Sequence, residues 1–141
     1  MLILPALLRR EIEVRTRRAL PDETCGLLLG RRRGKEVEVA ALVAARNIAL
    51  EPRTRFELDP LDLLAAEDGA RANGLEVVGV WHSHPRGPLE GSRHDHQGSP
   101  ASWLSLIAVP KPRHGLGLAC WRQVASGFEP MDIAEPLTAH G

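Results

Sequence analysis

Two histidines, His82 and His84, are the side chains of this sequence best placed to bind a metal ion. They follow the apolar, β-branched run from Glu76 to Trp81, which predicts a buried strand. Side chains at positions i and i+2 of an extended chain point to the same side, so both imidazoles can face one ion. Pro85 favours an extended backbone at His84 and ends the strand there. The pattern therefore predicts half of a metal site at the end of a strand.

A hydroxyl and a carboxylate follow the histidine pair across a loop that contains proline and glycine. Asp95 could supply a third ligand, and two imidazoles with one carboxylate would leave the fourth tetrahedral position of a zinc ion to water, as hydrolysis requires. A structural interpretation stays open beside this one, because Ser92-x-x-Asp95 has the form of a helix-capping box with Asp in place of the usual Glu. The two interpretations are compatible, since a cap would also orient Asp95.

An acid far upstream adds a second part to the pattern. It lies in the segment Pro21–Gly30, where it precedes a glycine-flanked apolar strand. The acid and four later residues match at every spacing the motif of the JAMM (MPN+) metalloproteases, which this sequence resembles: Glu23, His82, His84, Ser92 and Asp95. The likeness covers most of the chain and is greatest to the short stand-alone prokaryotic members. Gly91 departs from the family, which usually has Pro there, and this concerns the rigidity of the loop rather than the chemistry.

The resemblance implies a role for each of the five motif residues. Zinc (Zn²⁺) would be held by His82, His84 and Asp95, Glu23 would act as general base and then acid, and Ser92 would donate a hydrogen bond to the oxyanion. The implied activity is that of an isopeptidase or peptidase cutting after the C-terminal Gly-Gly of a ubiquitin-like or sulfur-carrier protein. The substrate tail would reach the zinc as an added strand near residues 47–56.

Other functions stay open as alternatives. A non-catalytic MPN-type scaffold is disfavoured because all five motif residues are present. Another zinc hydrolase is conceivable, but a deaminase would need His-x-Glu and Pro-Cys-x-x-Cys, and neither occurs. Cys25, two positions after Glu23, could in principle form a Cys–His nucleophile. A small buried strand residue is the favoured interpretation, since unpaired cysteines are among the most often buried side chains.

Length and composition predict a single globular domain over residues 1–141. Hydrophobic residues make up 43% and aromatic residues 4%, without any Tyr, so the core should be aliphatic. The apolar stretch Leu2–Leu4 is too short for a signal peptide or membrane span and is interrupted by Pro5. We therefore expect a cytoplasmic protein that binds no membrane and whose two cysteines are reduced. A homo-oligomer remains open.

Charge is balanced overall but uneven along the chain. Residues 1–35 carry nine of the eighteen Lys and Arg against four acids. The densest run, Arg31–Lys35, is interpreted as a solvated hairpin loop rather than a nucleic-acid patch. No aromatic residues interleave with it to stack on bases. We expect no nucleic-acid partner, while an anionic protein partner stays open.

Capping residues, prolines and glycines divide the chain into predicted helices and strands. Helices are predicted over Pro5–Leu20, from Asp59-Pro60 through Ala72, and from Ser92. In the second helix, four residues are predicted to share a face: Leu61, Leu64, Ala65 and Ala72. Further strands are predicted over Thr24–Leu29, Glu36–Ala44, Thr54–Leu58, Trp103–Val109, Gly117–Val124 and Phe128–Ile133. This order predicts an α/β fold with a mixed β-sheet flanked by helices. The family resemblance implies the cytidine-deaminase-like three-layer sandwich of a JAMM/MPN domain.

Overall fold

The computed structural model describes residues 1–89 and 102–137. Within these ranges the chain forms eight strands and two helices, in the order β1 (Leu2–Ile3), α1 (Ala6–Ala19), β2 (Cys25–Arg33), β3 (Glu36–Ala45), α2 (Pro60–Ala72), β4 (Glu76–Ser83), β5 (Leu104–Pro110), β6 (Leu116–Val124), β7 (Gly127–Met131) and β8 (Ile133–Ala134). Neither helix in the described part has the length and apolar character needed to cross a membrane.

All eight strands belong to one mixed sheet in the order β7-β6-β5-β4-β2-β3-β1-β8. β4 is parallel to β5, and β1 is parallel to β3 and β8, whereas the other neighbours are antiparallel. β7 and β8 stand at opposite ends of this order, yet only Asp132 separates them along the chain. The sheet must therefore curve until it is nearly closed. The predicted mixed sheet with helices is confirmed.

The two helices bury separate clusters of side chains. α1 contributes Ile12 to a cluster that contains Leu28 and Trp81. α2 contributes Ala66 and Ala70 to a second cluster, together with Leu27, Leu29 and Val80. Successive side chains of a strand point to opposite faces, so Leu27 and Leu28 of β2 face different helices. The centre of the sheet is thus covered on both faces, and each fully buried aliphatic side chain contributes roughly 1.5–3 kcal/mol.

The predicted bounds of α2 are confirmed, but its predicted buried face is wrong. Asp59 caps the helix by accepting a hydrogen bond from the backbone N–H of Leu61, and Pro60 occupies the first turn. The four residues predicted to share a face are all exposed, so that face is not the one packed on the sheet: Leu61, Leu64, Ala65 and Ala72. Ala66 and Ala70 are buried instead, since small side chains let the helix approach the sheet closely. Ion pairs join Arg46 to Asp59 and Asp62, at 2.8 and 3.4 Å, at the start of the helix.

The basic run is also shorter as a loop than predicted. Its three arginines, at positions 31–33, belong to β2, and the turn is made by Gly34 and Lys35, with Gly34 at a φ of +60° that favours glycine. Arg31 and Arg33 lie opposite Glu38 and Glu36 of β3. Opposite charges on facing strand positions stabilise a sheet, so these acids extend the hairpin through the basic residues.

Two further strand predictions need correction, and one strand is absent from the predictions. Instead of a strand over Thr54–Leu58, the structure has one isolated bridge between Asn47 and Leu58. The strand predicted over Phe128–Ile133 is divided into β7 and β8 around Asp132. β1 was not predicted, because a two-residue strand has no periodicity to detect. The helix predicted from Ser92 lies outside the described residues.

Several charges of α1 fasten the helix to the turn between β5 and β6. Arg17 donates hydrogen bonds to the carbonyls of Lys111 and Gly115, at 3.0 and 3.1 Å. Glu13 accepts from the N–H of Gly115 at 2.7 Å and pairs with Arg17 at 3.0 Å. The Gly115 bond and then the Arg17 bond lower the pKa of the Glu13 carboxyl. Part of the charge near the start of the sequence therefore has a structural role.

Candidate metal centre

The end of β4 and the residue just after it place the two histidines at the centre of the sheet, between β2 and β5. His82 is fully buried and lies opposite Cys25 of β2 and Ile107 of β5. His84 is just beyond the strand, but its backbone N–H still donates to the carbonyl of Ala108 at 2.9 Å. Both histidines are therefore held by neighbouring strands. Their Nε2 atoms are 3.1 Å apart, so the prediction that the two rings face one point is confirmed.

The histidine pair has the spacing of two ligands of one tetrahedral ion. Two nitrogen atoms at about 2.0–2.1 Å from a zinc ion would be about 3.3 Å apart. Nδ1 of His84 is 2.5 Å from the carbonyl oxygen of Pro88. A carbonyl can only accept, so Nδ1 carries the proton and Nε2 of the neutral ring presents its lone pair toward His82. The donor set therefore fits a metal that prefers imidazole ligands.

Phe56 fixes the ring of the other histidine. The aromatic ring stacks on His82 with centroids 4.3 Å apart and an interplanar angle of 20°. The same side chain packs against the cluster beneath α2. His82 is thus held by β4 on its backbone side and by Phe56 over its ring, which limits the rotation of a buried imidazole.

Glu23 joins the histidines from the segment just before β2. Its residue is 94% buried, and its potential ligand atoms and those of His82 and His84 all lie within 4.8 Å of one another. Ser83 connects the two strands here, because its N–H donates to the carbonyl of Thr24 and its Oγ accepts from the N–H of Thr24, both at 2.9 Å. The start of β2 and the end of β4 meet because the strands are antiparallel.

The structure thus brings together three of the five predicted site residues, Glu23, His82 and His84. The other two, Ser92 and Asp95, lie outside the described residues. Their roles as oxyanion donor and third metal ligand remain predictions.

Asn47 connects the segment of Glu23 to the segment that carries Phe56. Its Nδ2 donates to the carbonyls of Glu23 and Arg55, both at 2.9 Å. Its Oδ1 accepts from the N–H groups of Ala49 and Glu57, at 3.1 and 3.0 Å. Two donors and two accepting lone pairs are the full capacity of an amide side chain. The sequence analysis places Asn47 only at one end of the segment expected to guide the substrate tail, since its four hydrogen-bond partners are identified only in the folded chain.

Cys25 is a buried structural residue rather than a nucleophile. Burial is the main reason that the pKa of its thiol is raised to about 12, with the charges of Asp62 and Glu23 acting in the same direction. A thiol with this pKa is protonated near neutral pH, whereas the thiolate is the nucleophilic form. The preferred sequence interpretation is confirmed, and Cys120 is likewise buried and free.

Comparison with known proteins places this geometry in a family. The model of the prokaryotic homologues of the JAB domain matches residues 5–123. The chain belongs to this family. The JAB-domain chain is 33% identical over 94 residues to a desampylase from Haloferax volcanii, a match covering 66% of each protein. It is 35% identical over 95 residues to a probable TtuB-protein conjugate cleaving protease from Thermus thermophilus, covering 67% of this chain and 61% of the relative. These matches thus span somewhat less than two thirds of each relative's length.

A solved structure extends the likeness over the whole JAB-domain chain. The solution structure of a protein from Desulfitobacterium hafniense has a TM-score of 0.86 and 30% identity, covering 99% of this chain and 97% of that one. The resemblance to stand-alone prokaryotic JAMM proteins, based on five residues and their spacing, is therefore confirmed.

Proposed function

We propose that this protein is a zinc-dependent JAMM-type isopeptidase or peptidase. It hydrolyses the peptide or isopeptide bond after the C-terminal Gly-Gly of a ubiquitin-like, sulfur-carrier type protein. The observation that carries the proposal is the buried histidine pair with Nε2 atoms 3.1 Å apart, beside the carboxylate of Glu23. Relatives named a desampylase and a probable TtuB-protein conjugate cleaving protease support the substrate class.

In this proposal His82, His84 and Asp95 would hold the metal ion. A zinc ion bound there would supply Lewis acidity, lowering the pKa of water and polarising the scissile carbonyl. The Pro88 carbonyl keeps the proton of His84 on Nδ1 and so keeps Nε2 available. Phe56 limits rotation of the His82 ring.

Glu23 moves the proton in this proposal. Its carboxylate takes a proton from the attacking water and returns it to the leaving amine. The backbone of Glu23 is fixed on two sides, by its N–H to the carbonyl of Pro52 at 2.6 Å and by its own carbonyl to Asn47 at 2.9 Å. A fixed backbone holds the carboxylate beside the histidines. Ser92 donates to the oxyanion, a contact whose removal costs about 3 kcal/mol of transition-state stabilisation.

The substrate tail approaches along the segment from Asn47 to Phe56. This segment contacts the general base directly, through the bond from Glu23 to Pro52, so a peptide added here as a strand would lead to the metal. The proposal also includes a cytidine-deaminase-like three-layer arrangement, a single domain over residues 1–141, a cytoplasmic location, and a small carrier protein, or its adduct, as substrate.

Cleavage of a defined fusion tests the function. A small ubiquitin-like carrier ending in Gly-Gly is joined to a reporter and incubated with the zinc-loaded protein, and mass spectrometry locates the cut. We expect cleavage directly after Gly-Gly, and none after zinc is removed by a chelator. Zinc binding without cleavage of linear or isopeptide-linked fusions would favour the scaffold alternative. Cleavage that persists undiminished in Glu23→Gln would indicate a different enzyme or a contaminant.

A further inference from the structure

We propose that Trp121 is a positioning residue for the metal ligand His84, acting through the turn that follows β4. The inference rests on the proposed function, because it takes His84 to be a ligand. Trp121 lies on β6, 37 positions after His84, and is not one of the motif residues.

Consecutive carbonyl groups of the turn are held from two directions. The N–H of Gly87 donates to the carbonyl of His84 at 3.0 Å, which closes the turn. The carbonyl of Pro88 accepts from Nδ1 of His84 at 2.5 Å. The next carbonyl, that of Leu89, accepts from the indole Nε1–H of Trp121 at 3.0 Å. The two peptide groups on either side of the Leu89 Cα are therefore both held, the first by His84 through the Pro88 carbonyl and the second by Trp121 through the Leu89 carbonyl.

Trp121 faces the same side of the sheet as the two histidines. It lies opposite Ser105 of β5, and Ser105 lies opposite Val80 of β4. Val80 and His82 are two positions apart on β4, so their side chains point to one face. Residues that face each other across strands share that face as well. The chain after His84 therefore crosses this face and meets Trp121 there.

A second contact supports the same crossing. A Cβ added to Gly117 of β6 would lie 3.5 Å from Cδ1 of Leu89, so the Leu89 side chain rests over the bare backbone at Gly117. Gly117 is four positions before Trp121, on the same face of β6. β6 thus supports Leu89 at its side chain through Gly117 and at its backbone through Trp121.

Trp121 can influence His84 through Leu89 because the strand that carries Trp121 is itself held in place. β6 pairs with β5 along seven residues and with β7 along five, so its backbone is fixed on both sides. Without the indole N–H, the Leu89 carbonyl can turn to water, because Leu89 is 37% exposed. The fold would survive this change, but the Pro88 carbonyl would no longer be fixed relative to Nδ1 of His84. The ring orientation of a ligand would then be lost in part.

Metal affinity is the measurement that separates this role from a structural one. Trp121→Phe removes the N–H and keeps an aromatic ring on β6. Loss of a group that orients a ligating histidine lowers metal affinity roughly 10–100-fold. We expect a loss of zinc affinity of about tenfold, because Trp121 contacts Leu89 and not Pro88, the residue that His84 contacts. Trp103→Phe is the matched control. Trp103 lies just before the first residue of β5, whereas His84 bonds to Ala108 near the last residues of that strand. Zinc is titrated into the metal-free proteins in competition with a chromophoric chelator.

Two additional readouts do not depend on substrate. Solvent exchange of the Trp121 indole N–H in ¹⁵N-labelled metal-free protein should be slow, and its signal is assigned by its absence in Trp121→Phe. The melting temperatures of the two metal-free variants should agree with each other. With substrate, Trp121→Phe should lower kcat and leave KM unchanged, because Trp121 orients a ligand rather than binding the tail.

Each failure has its own meaning. Equal zinc affinity in wild type and Trp121→Phe overturns the positioning role and leaves the proposed isopeptidase intact. A wild-type protein that binds zinc but cleaves no carrier fusion overturns the isopeptidase, while a tenfold affinity loss in Trp121→Phe still supports the positioning role. A wild-type protein that binds no zinc overturns both. A loss of affinity that is equally large in Trp103→Phe also overturns the positioning role, because it would be a general effect on β5 and β6.

Discussion

The two ring nitrogens of His84 have different roles, and the one left for a metal limits which ions the centre can favour. Nδ1 donates to Pro88, while Nε2 faces the Nε2 of His82 at 3.1 Å. Magnesium and calcium are bound mainly by oxygen ligands, so two imidazoles argue against either. Imidazole suits zinc, copper, iron and nickel, and one carboxylate with two histidines is an established zinc donor set. The residues therefore fit a transition metal by their chemistry, and zinc is the ion that the proposed function assigns to them.

Glu23→Gln separates a base from a ligand. The substitution keeps the shape of the side chain and removes its ability to take a proton, so we expect cleavage to fall by about 10²–10⁴-fold with zinc content unchanged. Metal analysis and cleavage assays on the same preparation check both parts. A mutant that loses zinc as well would make Glu23 a ligand, which its presence in the three-residue cluster also allows.

Asp95→Asn separates the ligand from the helix cap. Asn still accepts a hydrogen bond at a helix start but lacks the charge that helps to hold a divalent ion. We expect weaker zinc binding and loss of cleavage, with a change of about 1 kcal/mol or less in the unfolding free energy of the metal-free protein. Zinc titration of the two metal-free proteins is the measurement. Equal affinities would leave Asp95 as a cap only.

Asn47 shows how one side chain joins two elements at the site. Asn47→Ala removes four hydrogen bonds and leaves backbone groups in a partly buried loop without their partners. We expect the unfolding free energy to fall by about 1–3 kcal/mol. Cleavage should fall by about 10–100-fold, because Glu23 and Phe56 lose a shared support. Urea unfolding and cleavage rates measure the two effects.

Asn73→Ala is the control for Asn47→Ala, since Asn73 is an exposed residue at the end of α2 whose side chain makes one hydrogen bond, to the Gly69 carbonyl. It should leave cleavage unchanged. Asn47→Asp keeps the acceptor and loses the two Nδ2 donors, so it should lower cleavage more than it lowers stability. Equal cleavage by all three variants and the wild type would remove Asn47 from the site.

Changes in side-chain size can test which face of α2 packs against the sheet. Ala70→Leu adds carbon atoms where Ala70 is 1% exposed against the sheet, so overpacking should cost about 1–3 kcal/mol of unfolding free energy. Leu64→Ala truncates a residue that is 59% exposed and should change it by about 0.5 kcal/mol or less. Urea unfolding of both variants compares the two faces, and the reverse order of effects would restore the face predicted from sequence.

The parts of the fold that sequence predicts well have local causes. β4 was found from its β-branched run and from the proline after His84, and α2 from its cap at Asp59. Which face of α2 is buried does not follow from its own sequence, because it depends on how closely Ala66 and Ala70 can pack against strands elsewhere in the chain. The basic residues of β2 were assigned to a loop because the acids that stabilise them lie on β3 and β4.

The same distinction holds for the site. The histidine pair follows from the period of a strand, so its geometry could be anticipated from His82 and His84 alone. Glu23 carried no local signal beyond the family motif, and its approach to the histidines requires the antiparallel pairing of β2 with β4. Asn47 and Trp121 act through hydrogen bonds to backbone groups far along the chain. Such partners have no pattern in sequence until the fold is known.

The protein as a whole should lose stability at alkaline pH through its two buried thiols. Burial raises the pKa of Cys25 and of Cys120 to about 12 in the folded chain, against about 8.5 when unfolded. The unfolded state therefore releases protons that the folded state keeps, and stability falls as pH rises from about 8.5 toward 12. Linkage gives a loss of about 2 kcal/mol per thiol at pH 10.

Alkaline titration of this chain is simple to interpret because it contains no Tyr. Urea unfolding of the metal-free protein at pH 7.5 and pH 10 measures the loss. A Cys25→Ala/Cys120→Ala variant should be less stable at both pH values, because it loses packing. Its unfolding free energy should differ much less between pH 7.5 and pH 10 than that of the wild type. A wild-type stability independent of pH in this range would contradict the burial of the thiols.

The near closure of the sheet has a consequence for the order of folding. β1 and β8 join residues 131 positions apart, Leu2 and Ile133, through hydrogen bonds such as that from Leu2 N–H to the Asp132 carbonyl at 2.7 Å. Contacts between such distant residues are slow to form, because the chain entropy is lost before the contact stabilises anything. The pair should therefore form last and open first. Such opening would leave β2 and β4 paired, since β3 stands between them and β1. In native-state hydrogen exchange the amides of Leu2 and Leu4 should thus exchange well before those of the histidine strand, in molecules that still bind metal.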